Sequence, residues 1–401
     1  MAKIKVKAKL EQVPICDMVG EIAIHYGFSV IKPPHITHDD VAKSKQFKDF
    51  DHYSDADEKV ALTRWYIEER FDLEPQPVSI HYKKPLSGVT DKKKGSGEIY
   101  GFEIMGSSKS TSEALLLRCV LSILDELGYK DICVDINSIG DRESLNKFER
   151  ELNSHFRKNS HLLGAKTKQE FKKNLYSIIK SEQNDAKEFL KTAPQTIATL
   201  GDIGRVHFKE VLESLETFGV TYKINSTVVS NKLYATHTTF EIRTLTPLTV
   251  EAEATKGELL AYGYRYNSLG KKLGAKREIP TVGATIMVKR NKDFAKKVIV
   301  KNIKKPKFYL VQLGNTAKLK ALNVVEMLRK HRIPIYHSIT KDKITGQLSG
   351  AEYMKATHVL IMGQKEAVED SMVVRDILSR KQETVSLADL PKFLKEINKK
   401  K

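Results

Sequence analysis

Apolar positions along the chain switch between a spacing of two and a spacing of three to four, and each switch marks a change between strand and helix. Residues 14–27 carry a helical stripe, and FSVIKPP at 28–34 reads as a strand halted by its two prolines. From 43 to about 76 the pattern is polar, with a helix predicted over 61–71. Strands are predicted at 77–84 and 98–105, joined by an exposed loop around DKKKGSG at 91–97. STSEALLLRCVLSILDEL at 110–127 predicts a helix with hydroxyl caps before it and Gly128 closing it. DICVDIN at 131–137 predicts a strand, and 142–190 a long helical region. Strands return at 220–229, 236–245, 248–254 and 259–265, and 278–290 fits either strand or helix.

A lysine-rich stretch ends at Pro306, and the pattern beyond it is that of a separate unit. FYLVQL at 308–313, IPIYHS at 333–338 and HVLIMG at 358–363 predict short strands. Helices are predicted at 316–331, 346–355 and 387–397. This alternation implies a small α/β domain with a mostly parallel or mixed sheet. A chain of 401 residues suits two or three domains. The boundaries expected are 1–300, with a helical insertion at about 142–192, and 306–401.

Composition narrows the function. With 40% apolar and 29% charged residues the chain reads as globular, and no apolar run approaches a membrane span. The amino-terminal MAKIKVKAKL lacks an apolar block, so a cytoplasmic protein is expected. Cys16, Cys119 and Cys133 form no CxxC pair, and His35 and His38 lack a third ligand, so neither a disulfide framework nor a metal site is expected. GSG at 95–97 lacks the following helix and lysine of a phosphate loop and reads as a turn. Lys and Arg exceed Asp and Glu by 18. Nine of them fall between Lys289 and Lys307 against the single acid Asp293, and Lys292, Lys296, Lys297, Lys301, Lys304 and Lys305 are the candidate RNA contacts there. A second basic run holds Arg157, Lys158, Lys166, Lys168, Lys172 and Lys173.

Several segments, in order, resemble the histidyl-type class II aminoacyl-tRNA synthetases. EIYGFEIMG at 98–106 is similar to the end of the family's motif 2 hairpin, and VDINSIGD at 134–141 to its LxINSIG turn. NLYSIIKS at 174–181 with Ala193 and Pro194 is similar to NPLRxLDSK…AP, and YGYRYNSLGKKLG at 262–274 to GGRYDGLxxxLG. VGATIMVKR at 282–290 resembles motif 3, and 346–366 with 373–378 resemble the anticodon-binding module. The resemblance implies an α+β core with an antiparallel sheet and helices, a carboxy-terminal α/β anticodon-binding-like domain, and an isologous homodimer. It also implies tRNA or another structured RNA as partner, and ATP with Mg²⁺ if the chain is active.

VVSNKLYATHTTFEI at 228–242 falls where the family has LVRGLDYYTGTVFE, its histidine-binding strand. Tyr234, Thr236 and Glu241 match and, with Tyr264, are the amino-acid-binding candidates; Thr238 and Phe240 match as well. The family's arginine, which steadies charge as the histidine carboxylate attacks the ATP α-phosphate, is Ser230 here. Such attack joins two anions and needs fixed positive charge, worth about 3 kcal/mol per donor. IHYKKP at 80–85, set against FRxERP, puts His81 at the α-phosphate arginine and Lys83 at the glutamate; these and Lys84 are the ATP-binding candidates, together with Arg290 at the motif 3 arginine. The RPEGT loop falls near 55–59, ahead of the predicted helix, with Asp57 as the closest acid. Tyr264 stands at the second glycine of GGRYD, and Arg265 survives as an architectural residue.

The departures favour a catalytically degenerate synthetase-like protein that binds RNA in a regulatory or accessory role. One alternative is an active, divergent histidine–tRNA ligase, with His81, Lys83 or Lys84 standing in for the missing arginines. Another is a regulatory subunit like the paralogue that activates ATP phosphoribosyltransferase, against which residues 306–401 count.

Overall fold

Two sheets organise residues 17–50, 53–85, 97–245, 257–289 and 306–399, which are those the computed structural model describes. The first contains β1 (Ser29–Ile31), β2 (Val78–Pro85), β3 (Gly97–Met105), β4 (Ile132–Ser138), β5 (Tyr222–Ile224), β6 (Thr236–Thr244), β7 (Leu259–Arg265) and β8 (Thr281–Lys289). Their order is β1-β2-β3-β8-β7-β6-β4-β5, antiparallel except for the β1–β2 and β4–β5 pairs at the two edges. The ambiguous segment at 278–290 is therefore the central strand β8. The strand predicted at 248–254 lies outside the described residues.

Strand alternation gives this sheet two faces. On the back face Tyr100, Phe102, Ile104, Phe240, Ile242, Val282, Ala284 and Ile286 pack beneath α1 (Met18–His25), α4 (Ser110–Glu126) and α8 (Asp202–Thr217). The front face is covered by α3 (Ala56–Glu68), which follows α2 (His38–Ser44), and by the insertion helices α5 (Arg142–Asn159), α6 (Ala165–Lys173) and α7 (Asn184–Lys191). α9 (Leu269–Lys272) is a single turn behind β7.

Helix α4 differs from expectation at its start. Its N-cap is Lys109, with no side-chain capping bond, and the hydroxyls lie inside the first turn, Ser110 bonding Glu210 and Ser112 bonding Ser107. Gly128, at φ +92°, closes it as the sequence predicts. The long helical region is broken near Gly164 and Asn174 into three helices linked by 3₁₀ turns. Helix α3 starts five residues earlier than predicted and stops at Glu68. Helix α8 is not anticipated at all: exposed Ile203 and Val206 on its first turns blur the apolar stripe.

The second sheet contains β9 (Phe308–Gln312), β10 (Ile335–His337), β11 (His358–Met362), β12 (Ser371–Asp376) and β13 (Gln382–Ser386), in the order β10-β9-β11-β12-β13. The first three are parallel and the last two antiparallel, so the sheet is mixed. Helices α10 (Asn315–Lys330), α11 (Ile344–Tyr353), α12 (Gln364–Val368) and α13 (Leu390–Lys399) complete it. Strands β12 and β13 escape the sequence pattern because β13, QETVS, buries only Val385 and so shows no alternation.

Helix α10 joins the two units. Its buried Leu322, Val325 and Leu328 share one apolar cluster with α1, α4 and both sheets. At the seam Tyr26 donates to Glu326 at 2.9 Å, and Arg329 reaches both Glu326 and Glu126. A shared core predicts one unfolding transition. Leu322→Ala is expected to lower stability by about 2–5 kcal/mol without splitting that transition, which urea denaturation followed by two probes would check.

Candidate functional site

The front face is laid out by register. Cross-strand pairing places Tyr82, Gly101, Thr285, Tyr262 and Glu241 in one row across β2, β3, β8, β7 and β6. The neighbouring row is Ile80, Glu103, Gly283, Tyr264 and Thr239. Two glycines make room for these side chains. A Cβ on Gly101 would lie 2.1 Å from the Tyr82 ring, and one on Gly283 would lie 2.1 Å from the Glu103 carboxylate.

Glu103 is a fully buried carboxylate in the middle of the sheet. Lys59 descends from α3 to meet it at 2.5 Å, and Tyr266 donates to its other oxygen at 2.8 Å. Burial pushes the Glu103 carboxyl up, and the pull of Lys59 and Tyr266 does not fully reverse it. The ammonium also lies over the rings of Tyr264 and Tyr266, 5.6 and 5.4 Å from their centres. Lys59 is 2% exposed, Tyr264 2% and Tyr266 1%, so this centre is closed to solvent.

The amino-acid-binding candidates meet only in part. Tyr234 packs edge-on against Phe47, and its hydroxyl lies 3.4 Å from that of Tyr264, which donates to Asp55 at 2.7 Å. Glu241 sits two positions along β6 from this group, receiving a bond from Tyr53 at 3.0 Å and pairing with Arg243 at 2.6 Å and Lys180 at 3.6 Å. Burial raises the Glu241 carboxyl, but Lys180, Arg243 and Tyr53 bring it below its ordinary value. Thr236 is set apart at the β6 irregularity, opposite Arg265, with its hydroxyl buried and unpartnered. Ser230 is buried with its hydroxyl 2.5 Å from that of Thr239, beside Tyr264 in the second row.

The ATP-binding candidates separate by strand parity. His81 and Lys83 point to the back face: His81 stacks on Phe102 and bonds the Gly101 carbonyl, while Lys83 pairs with Asp17 and Glu98. Burial lowers the His81 imidazole to about 4, so it is neutral at pH 7. Only Lys84 reaches the front, where it pairs with Glu58, itself bonded by the Tyr82 hydroxyl. The structure thus does not bring the ATP-binding candidates His81 and Lys83 together with Lys84, because one step along a strand reverses the face. Arg290 and the lysines at 292, 296, 297, 301, 304 and 305 lie outside the described residues.

The expectation for residues 55–59 also changes. They form the N-cap and first turn of α3 rather than a loop ahead of it, and Asp57 turns away to Ser44 and Lys48. Asp55, Glu58 and Lys59 are the residues that enter the front face. The sequence carries a signal for one partner of this centre: Glu103 interrupts the apolar second half of its strand, FEIM at 102–105, and a buried carboxylate there requires a cation. Arg265 lies apart from these residues. It is fully buried on the back face, holding Glu113 through two 2.6 Å bonds and the Ser107 carbonyl at 2.7 Å, with His207 on Glu113 at 2.8 Å.

Residues 298–397 match the anticodon binding domain family. The histidine–tRNA ligase of Anoxybacillus flavithermus is 27% identical over 347 residues, 84% of this chain and 80% of its own length. That of Halothermothrix orenii is 28% identical over 82% of this chain and 78% of its own. The chain is similar to the class II histidyl-tRNA synthetases. The apo S. aureus histidyl-tRNA synthetase shares the fold, with a TM-score of 0.50 and 22% identity over 94% of this chain and 93% of that one.

ATP and Mg²⁺, which such a fold implies, meet a poor fit among the described front-face residues. Each cation there is paired: Lys59 with Glu103, Lys84 with Glu58, and Lys180 and Arg243 with Glu241. The same pairs occupy Glu103, Glu58 and Glu241, Asp55 accepts from the Tyr264 hydroxyl, and no group of three or more metal-ligating side chains occurs among the described residues.

Two outcomes test this account. Lys59→Met leaves Glu103 buried without its cation and is expected to cost about 3–5 kcal/mol; adding Glu103→Gln should recover most of that loss in urea denaturation. Burial raises Glu113, but Arg265 and His207 more than reverse it, holding the carboxyl at about 2 against an ordinary 4.5. A depressed acid stabilises the fold above its unfolded pKa and loses that contribution as pH falls toward the folded one. Stability worth on the order of 3 kcal/mol should therefore disappear between about pH 4.5 and 2 in the wild type. Glu113→Gln should flatten that slope.

Proposed function

We propose that this synthetase-like chain binds tRNA or another structured RNA in an accessory role, and that its aminoacylation chemistry has been lost. One observation carries the second half: each cation among the described front-face residues is engaged by one of the chain's own carboxylates, and the buried Lys59–Glu103 pair fills its centre. Activation of an amino acid by ATP needs uncommitted positive charge where the phosphates sit. Ser230 at the arginine position supplies a hydroxyl that is already bonded to Thr239.

The first half draws on the match to an anticodon binding domain and on charge. The chain carries a net +18. Arg157, Lys158, Lys166, Lys172 and Lys173 are exposed on α5 and α6, and none of them forms an ion pair among the described residues. Unpaired lysines at a surface are what a phosphate backbone recruits, with an affinity that falls steeply with salt. We take residues 1–300 as the core unit and 306–401 as the anticodon-binding-like unit, with an isologous homodimer as the working assembly.

Histidine-dependent exchange of pyrophosphate into ATP tests the reading. The expected rate lies on the order of 10³-fold or more below that of an active histidine–tRNA ligase assayed alongside. Exchange comparable to that enzyme, and abolished by Arg290→Ala, would overturn the loss of chemistry and establish the ligase instead.

A further inference from the structure

A second polar centre lies away from the front face, in a cleft of about 460 Å³ between the two units. One wall is the turn from β3 into α4, contributing Ser107, Ser108 and Lys109; the other is the turn into α11, contributing Lys341, Asp342 and Lys343. Asp342 is the only carboxylate on the lining among the described residues, and it is bonded by both Lys109 and Lys318. Its charge is thus more than cancelled, and the cleft keeps an excess of three positive charges when Lys318 is counted. Lys341 and Lys343 have no carboxylate partner among the described residues.

The local chemistry breaks a rule twice. Helices α4 and α11 belong to different units, yet each has a lysine at its N-cap, Lys109 and Lys343, without a side-chain capping bond. Lysine is a poor N-cap, and a cation at the positive end of a helix costs about 0.3–1 kcal/mol. Two such placements facing one cavity are relieved together by an anion between them. Hydroxyls from Ser108 and Thr340 add donors, and no aromatic ring lines the cleft, so it offers charge without a platform for stacking a base.

We propose that this cleft seats backbone phosphates of the bound RNA, with both units contributing, so that the contact exists only while the carboxy-terminal unit is docked through α10. The proposal rests on the RNA reading above. It concerns phosphate rather than base recognition, because the lining offers an excess of cations and no ring on which a base could stack.

The test is the double variant Lys341→Gln/Lys343→Gln in the full chain, with a fluorescent hairpin RNA titrated across roughly 50–300 mM salt. Neither lysine is buried, so an unchanged thermal midpoint is expected and shows that the fold is intact. The salt slope should fall by about 1.5, and affinity near 0.15 M salt should weaken on the order of tenfold. If the double variant binds as the wild type does while Lys172→Gln/Lys173→Gln weakens binding, the cleft is overturned and the RNA reading stands. Absence of salt-dependent binding by the wild type overturns both. A third arm follows inorganic phosphate by ³¹P NMR: broadening that the double variant abolishes, with RNA affinity unchanged, marks a free-phosphate site and overturns the RNA assignment of the cleft.

Discussion

The buried pair between Lys59 and Glu103 sets the geometry of the front face. A carboxylate at the centre of an eight-stranded sheet cannot stay charged without a partner. Its strand neighbours are Ile80 and Gly283, which carry no charge. The cation must come from above, so α3 is drawn over the sheet until Lys59 touches Glu103. That places Asp55 against Tyr264 and Glu58 against Tyr82 and Lys84. Three charged or polar residues in the first turn of one helix are thereby fixed to three different strands. By the energetics of buried pairs this arrangement contributes less to net stability than to uniqueness, since a slide of α3 by one turn would strand a charge.

The back face uses the same device for another purpose. Glu113 on α4 is gripped by Arg265 from β7 and His207 from α8, which ties two helices to the sheet. Because α4 also meets α10, the orientation of α4 sets where the carboxy-terminal unit lies. The cleft between the units is a consequence: the start of α4 is held by Arg265 through the carbonyls of Ser107 and Lys109, and the turn into α11 is brought opposite it.

Local patterns in the sequence were enough for much of this fold. Strands β3 and β7 and helix α4 are legible because each is a long, almost wholly buried apolar run bounded by turn residues. The ordered similarity of the segments around 98–106, 134–141 and 262–290 was enough to suggest the fold class. What sequence did not reveal is non-local. Nothing in the chain pairs Lys59 with Glu103, 44 residues on, or Tyr264 with Asp55, 209 residues back. The parity of β2 was equally hidden, since IHYKKP presents polar residues to both faces and gives no alternation from which to choose. Asp57 looked like the acid that mattered, and Asp55 and Glu58 hold the site instead, because the helix begins before its apolar stripe does.

Charge is distributed in opposite ways inside and outside. Among the described front-face residues each lysine and arginine is paired with a carboxylate, Lys180 and Arg243 sharing Glu241. At the surface the balance breaks, on α5 and α6 and in the cleft, where lysines stand without partners among the described residues. The shell does not depend on cations offered inward to a ligand, because the helices are held by the internal pairs themselves. The remaining unpaired charge faces outward, where a polyanion of matching length is the ligand that gains most from it.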